Sequence, residues 1–214
     1  MLMMTGILGG TFDPIHLGHT HIASQVVTRL GLQRLEFMPC ALPVHRGSPH
    51  ASAQHRCEMI ELAIKDTPAF SLNRTELQHS GPSYTIDSLR RIRQSAGFQP
   101  AEECLVLILG ADAFNGFAGW KAPRQILQLA HLVICCRPGY EVDEELFAEH
   151  RVATPEQLWE RDVGGILMVA VDAPDCSSSM VRGALKQGFA ARQYLTAPVA
   201  DYIDEHKLYR KECD

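Results

Sequence analysis

The sequence predicts an α/β fold: a doubly wound, mainly parallel sheet with helices on both faces. Three observations carry this. Short apolar runs alternate with helix-length segments along almost the whole chain, the pattern of repeated strand–helix units. The run at 104–109 (CLVLIL) is continuously apolar, as a strand buried on both faces requires. The first apolar run ends in Gly9-Gly10 just ahead of a helical pattern, the strand-to-helix turn at which open α/β sheets bind ligands.

In chain order, a first strand is expected at 5–8 and a helix at 17–30, with Ile22, Val26 and Leu30 on one face and Gly31 as its stop. Residues 35–38 read as the next strand. A loop rich in Pro, His and Gly then leads to a helix at 53–64. Strands follow at 104–109, 132–136 and 166–171, and two helices at 179–186 and 198–206, the second with Pro198 in its first turn. The charged stretch 141–162 reads as a surface helix or insertion. No internal repeat or composition break divides the chain, so one Rossmann-like domain over 1–214 is expected, with the helices from about 179 to 209 packed on it.

The composition narrows the function classes. At 214 residues and 46% hydrophobic, the chain has the make-up of a globular protein. A net charge of −5 argues against a general nucleic-acid surface, though not against a local basic pocket. No apolar run approaches the ~18 residues of a membrane helix, and no basic segment precedes the first strand, so a cytoplasmic protein with no membrane partner is expected. The seven cysteines show no C-x-x-C pair, and Cys135 and Cys136, adjacent in a strand, read as reduced core thiols.

The segment Gly9-Gly10-Thr11-Phe12-Asp13-Pro14-Ile15-His16-Leu17-Gly18-His19 carries the most chemistry. Glycines at the strand end let a ligand approach the backbone, and the helix N-terminus offers free N–H groups to phosphate. His16 and His19, three apart, can share one side of that turn. A generic phosphate-binding turn, two unrelated surface histidines and a zinc site with His21 are the rival readings. The spacing is not H-E-x-x-H, however, and no carboxylate or thiolate ligand follows, so no protein-held metal is expected. Neither a G-x-G-x-x-G fingerprint nor a P-loop is present, which weakens a dehydrogenase and a P-loop ATPase.

The GGTFDPIHLGH stretch resembles the T/H-x-G-H signature of the nucleotidylyltransferase superfamily, in its His-x-Gly-His form. Downstream segments narrow the resemblance to bacterial nicotinate mononucleotide adenylyltransferases, from Gly9 to about Tyr209. Ser177-Ser178-Ser179-Met180-Val181-Arg182 resembles the family's Ile-Ser-Ser-Thr-x-Ile-Arg segment, whose serines and arginine meet phosphates. Taken alone it is equally an ordinary serine N-cap. Leu42-Pro43-Val44-His45-Arg46 resembles the Pro-Pro-His-Lys/Arg loop, with Val44 in place of the second proline and His45 and Arg46 retained. Arg56 matches a family arginine and reads equally as a surface residue.

The resemblance further implies that Ser83, Tyr84 and Thr85 line a pyridine site, where pattern alone suggests only a helix cap. Trp120 matches the family's stacking residue for the pyridine ring; the alternative is a tryptophan covering the core edge. Gly110 and Asp112 follow the 104–109 strand and match the family's Gly-x-Asp segment, suited to ribose hydroxyls. Arg137 ends another strand and faces either nucleotide or solvent.

The expected reaction transfers AMP from ATP to nicotinate mononucleotide by in-line displacement, with pyrophosphate leaving and no covalent intermediate. His16, His19 and Arg182 are the expected catalytic residues. Gly9, Gly10, Thr11, Phe12, His45, Arg46, Gly110, Asp112, Arg137 and Ser177 to Ser179 are assigned to ATP. Mg²⁺ is expected to arrive with ATP. Two rivals stand beside this reading: a related nucleotidylyltransferase with another phosphate acceptor, and a non-catalytic nucleotide sensor.

Overall fold

The computed structural model describes residues 3–42, 47–79, 81–139, 141–143 and 145–210. In chain order come β1 (Met3–Gly10), α1 (Leu17–Leu30), β2 (Arg34–Pro39), α2 (Ala53–Ile64) and β3 (Phe70–Leu72). Then follow α3 (Thr85–Gln94), β4 (Glu103–Gly110), α4 (Ala111–Asn115), α5 (Pro123–Leu127) and β5 (His131–Cys136). The remaining elements are β6 (Arg151–Val152), α6 (Pro155–Trp159), β7 (Ile166–Ala170), α7 (Ser178–Lys186) and α8 (Ala197–Glu205).

The strands form one sheet in the order β3-β2-β1-β4-β5-β7-β6. Every pairing is parallel. Chain order reverses between β1 and β4, so their carboxyl ends flank a crevice at the topological switch point. Register sets its walls: Gly10 lies opposite Pro39, Leu8 opposite Ile108, and Gly110 opposite Cys135. Gly9-Gly10 and Gly110 therefore border the same opening.

Alternation along β4 explains the two helical layers. Val106 and Ile108 pack with Ile22, Val26 and Leu30 of α1, Ile60 of α2, and Val199 and Ile203 of α8. Leu105, Leu107 and Leu109 face the other way, onto Ile86 and Leu89 of α3, Phe114 of α4 and Ile126 of α5. At five residues each, α4 and α5 are too short to persist alone. Full burial of Phe114 and Ile126, worth about 2 kcal/mol each, holds them in place.

The α1 stop is as expected: Gly31 takes φ 64, and its N–H returns to the Val27 carbonyl. Cys135 and Cys136 are free and lie on opposite faces of the sheet. Two strands escape a reading by pattern, because β3 has three residues and β6 two, too few to show a period. The 141–162 stretch holds short pieces rather than one surface helix: a 3-10 turn at Ala148–His150, then β6 and α6. Thr154 caps α6 by accepting from the Gln157 N–H, so a new helix start interrupts the charged run. No described helix is long and apolar enough to cross a membrane.

Candidate active site

The turn after β1 is shaped by packing beneath it. A Cβ on Gly10 would lie 3.0 Å from the Phe12 ring, whereas Gly9 and Gly110 have open space at that position. Gly10 is thus small because Phe12 folds back against it, while Gly9 and Gly110 are open on their side-chain side. Phe12 itself adopts φ 49 and is 2% exposed, packed on Phe37 and edge-on to His19. Its ring belongs to the core, so Phe12 has only backbone to offer a nucleotide. The Asp13–Pro14 peptide is cis.

His16 is the N-cap residue of α1 and His19 closes the first turn. The His16 backbone N–H donates to His19 Nδ1 at 3.2 Å, and the two rings stack with centroids 3.8 Å apart. That bond consumes His19 Nδ1 as an acceptor, so the neutral ring carries its proton on Nε2. His21 is exposed, on another side of the helix. Burial, aided by the Arg137 charge, pulls His16 down to a pKa of about 4. Burial, with His16 and Arg137 adding to it, pulls His19 well below the usual histidine range. Both imidazoles are uncharged donors at neutral pH in the free protein. Arg137 is half-buried within electrostatic reach of both, on the site side of β5.

The start of α7 docks on this turn. Ser177 caps the helix, accepting from the Met180 N–H at 3.2 Å. Ser178 Oγ donates to the Pro14 carbonyl at 2.9 Å, and Arg182 donates to the Asp13 carbonyl at 2.6 Å and to Ser179 Oγ at 3.3 Å. Each serine has its own task. Ser177 is the ordinary N-cap that pattern alone suggested, Ser178 joins α7 to the histidine turn, and Ser179 steadies Arg182.

The segments expected around a pyridine ring also converge. Ser83 exchanges hydrogen bonds with the β2 exit: its N–H donates to the Leu42 carbonyl and its Oγ accepts from the Ala41 N–H. One residue earlier, the Cys40 N–H donates to the Gly10 carbonyl at 2.9 Å, which brings the segment to the switch point. Tyr84 is the N-cap residue of α3 and its side chain makes no cap bond. Lys121, next to Trp120, lies 4.5 Å above the Tyr84 ring and pairs with Asp87 at 2.7 Å. Trp120 is half-buried and edge-on to Phe117 at 5.4 Å, so it covers the core and still shows a face. Asp112 is exposed in the first turn of α4. His45 and Arg46 lie outside the described residues.

A family profile described as cytidylyltransferase-like matches residues 7–184. The chain is 39% identical over 213 residues to a probable nicotinate-nucleotide adenylyltransferase of Dechloromonas aromatica, covering 96% of this chain and 97% of that one. It is 40% identical over 212 residues to a protein of the same description from Hydrogenovibrio crunogenus, covering 97% and 98%. The chain belongs to the nicotinate-nucleotide adenylyltransferase family. Its fold is also that of the Plasmodium falciparum nicotinic acid mononucleotide adenylyltransferase complexed with NaAD. There the TM-score is 0.74 at 17% identity, over 96% of this chain and 97% of that one.

For this member of the adenylyltransferase family, sequence reasoning missed the side chain that ties the site together. Asp13 is 3% exposed and accepts four hydrogen bonds. Oδ2 takes the His50 N–H at 2.8 Å and lies 3.1 Å from His50 Nδ1; Oδ1 takes the Ala51 N–H at 3.0 Å and the Tyr209 hydroxyl at 2.8 Å. Burial alone would raise this carboxyl, but the four bonds outweigh it and hold its pKa below the ordinary value. Arg56, equally readable as a surface residue, is 1% exposed and donates to the Thr11 carbonyl at 2.7 Å. Glu76 lies buried behind Ser83, accepting from Ser88 Oγ at 2.6 Å, and burial pushes its pKa up. The signal for Asp13 was its place inside the histidine motif; Tyr209, at the far end of the chain, carried none.

Proposed function

We propose that the chain transfers the AMP moiety of ATP to the phosphate of nicotinate mononucleotide, giving nicotinate adenine dinucleotide and pyrophosphate. The single observation that carries this reading is the stacked His16/His19 pair at the sheet's switch point, with Arg182 clamped on the same turn. The acceptor phosphate is already a nucleophile, so the protein's task is alignment and charge stabilisation. His16 and His19 donate N–H groups to the α-phosphoryl oxygens as negative charge builds there. Their lowered pKa values mean they enter as neutral donors, and bound polyphosphate pulls those values back up.

Arg182, with the Ser177 and Ser179 hydroxyls and the Ser178 backbone N–H at the α7 N-terminus, holds the leaving pyrophosphate. His45 and Arg46 are assigned to the same phosphates. The site's donors are imidazole, guanidinium and hydroxyl groups, which suit phosphate oxygens rather than a bare divalent cation. Magnesium would arrive as part of the substrate, MgATP, and neutralise phosphate charge there. Gly9, Gly110 and the Thr11 backbone border the nucleotide, Asp112 meets ribose hydroxyls, and Arg137 adds positive charge.

The acceptor's pyridine lies on Trp120, and its carboxylate meets the backbone N–H groups of Tyr84 and Thr85 at the start of α3, which Ser83 holds against the β2 exit. We read the whole chain as one catalytic domain. Pyrophosphate release that requires ATP, Mg²⁺ and nicotinate mononucleotide together is the expected result. Release with another phosphate acceptor alone would keep the ATP half and replace the acceptor. Binding of ATP without release for any acceptor would favour the sensor.

A further inference from the structure

Cys176 immediately precedes the α7 serines and lies against a proposed catalytic histidine. Its Sγ is 3.3 Å from His16 Nδ1, and the two residues are 3% and 5% exposed. When Ser177 to Arg182 are laid on the Ile-Ser-Ser-Thr-x-Ile-Arg segment, Cys176 stands where that pattern has isoleucine. An isoleucine offers a ring nitrogen nothing; a thiol offers a proton.

Packing at Gly18 is a second observation. A Cβ there would sit 3.1 Å from Cys176 Sγ, His16 Cε1 and His16 Nδ1 alike. Sulfur, imidazole and helix backbone thus close around one point, and Gly18 is small so that they can. At 3.3 Å the thiol is placed to give its proton to Nδ1. Which ring nitrogen holds the proton of a neutral imidazole decides whether the other end meets phosphate as a donor or as a lone pair.

We propose that Cys176 is a positioning residue for His16: its S–H donates to Nδ1, fixes the imidazole as the Nε2–H tautomer, and so keeps a donor available to phosphate. The kinetic consequence rests on the phosphate role given to His16. The tautomer does not, and can be read without turnover.

The test compares C176S, C176A and C176I with the wild-type chain, each first checked for a folded spectrum. In protein labelled with ¹⁵N-histidine, ring-nitrogen NMR of the free wild type should show His16 as the Nε2–H form, and the alanine and isoleucine variants a mixture. With MgATP and nicotinate mononucleotide, kcat should fall about 3- to 10-fold in those two variants, the scale of one hydrogen bond, while KM for ATP stays within about 2-fold. C176S, whose hydroxyl also donates, should recover both the tautomer and most of kcat. A wild-type His16 protonated on Nδ1 would overturn the proposal, as would an unchanged tautomer and kcat in C176A. A serine variant no better than alanine would reduce the sulfur to a volume filler. If the wild type released no pyrophosphate with any acceptor, the functional reading would fall and the tautomer result would stand apart.

Discussion

Replacing Asp13 by asparagine removes one charge and reverses one polar atom on the most connected side chain of the site. The carboxylate receives the His50 N–H and ring on Oδ2, and the Ala51 N–H and Tyr209 hydroxyl on Oδ1. An asparagine presents oxygen to only one of these pairs and turns an NH₂ toward the donors of the other. If the oxygen keeps Ala51 and Tyr209, the new NH₂ faces the part-buried His50 N–H, donor against donor, a cost of about 1–3 kcal/mol. The remaining bonds also lose their charge assistance, worth about another 1 kcal/mol. D13N should therefore unfold about 2–4 kcal/mol more easily. With a urea slope of about 2 kcal/mol/M, the midpoint falls by about 1–2 M at unchanged slope. Because the Asp13 carboxylate also lies 3.9 Å from Arg182 Nη1, losing its charge loosens Arg182 and kcat should drop as well. A stability loss under about 0.5 kcal/mol would refute the hub. The wild-type carboxyl has a lowered folded-state pKa, so its contribution is present above its ordinary value and lost as pH falls through the lowered one.

Changing His16 or His19 to alanine should lower kcat by about 10²- to 10³-fold while the protein still melts cooperatively, checked by steady-state kinetics beside thermal unfolding. Burial holds His16 and His131 at pKa values of about 4 against an ordinary 6.5, so the unfolded chain binds more protons between those limits. Stability should be full above pH 6.5 and fall on acidification by about 2 kcal/mol per histidine down to about pH 5, measured by urea titration; a flat profile would contradict it. Trp120→Ala should raise KM for the mononucleotide about 10-fold and leave KM for ATP nearly unchanged, the size of one lost stacking contact.

The large elements were legible because each carries its own signal. The 3.6-residue stripe of Ile22, Val26 and Leu30 and the stop at Gly31 mark α1, and the unbroken apolar run marks β4. The histidine motif was legible because its parts are local, three residues apart on one turn. What joins segments distant in sequence was not. Asp13 reaches Tyr209 across 196 positions and Arg182 reaches back to Asp13 across 169, and neither pairing leaves a pattern in the letters. Arg56 shows the same limit: a charged residue on a helix reads as solvated until the Thr11 carbonyl is seen to receive it. Phe12 shows the converse, since a residue within a functional motif serves the core through its ring.

The most direct test follows the label from ATP marked in its α-phosphate, with nicotinate mononucleotide and nicotinamide mononucleotide offered in parallel. Label should enter a dinucleotide with the acid form, pyrophosphate should leave unlabelled, and the amide should react much more slowly. Equal transfer to both would keep the chemistry and discard carboxylate reading by the α3 N-terminus. Label that never leaves ATP with either acceptor would contradict the central claim.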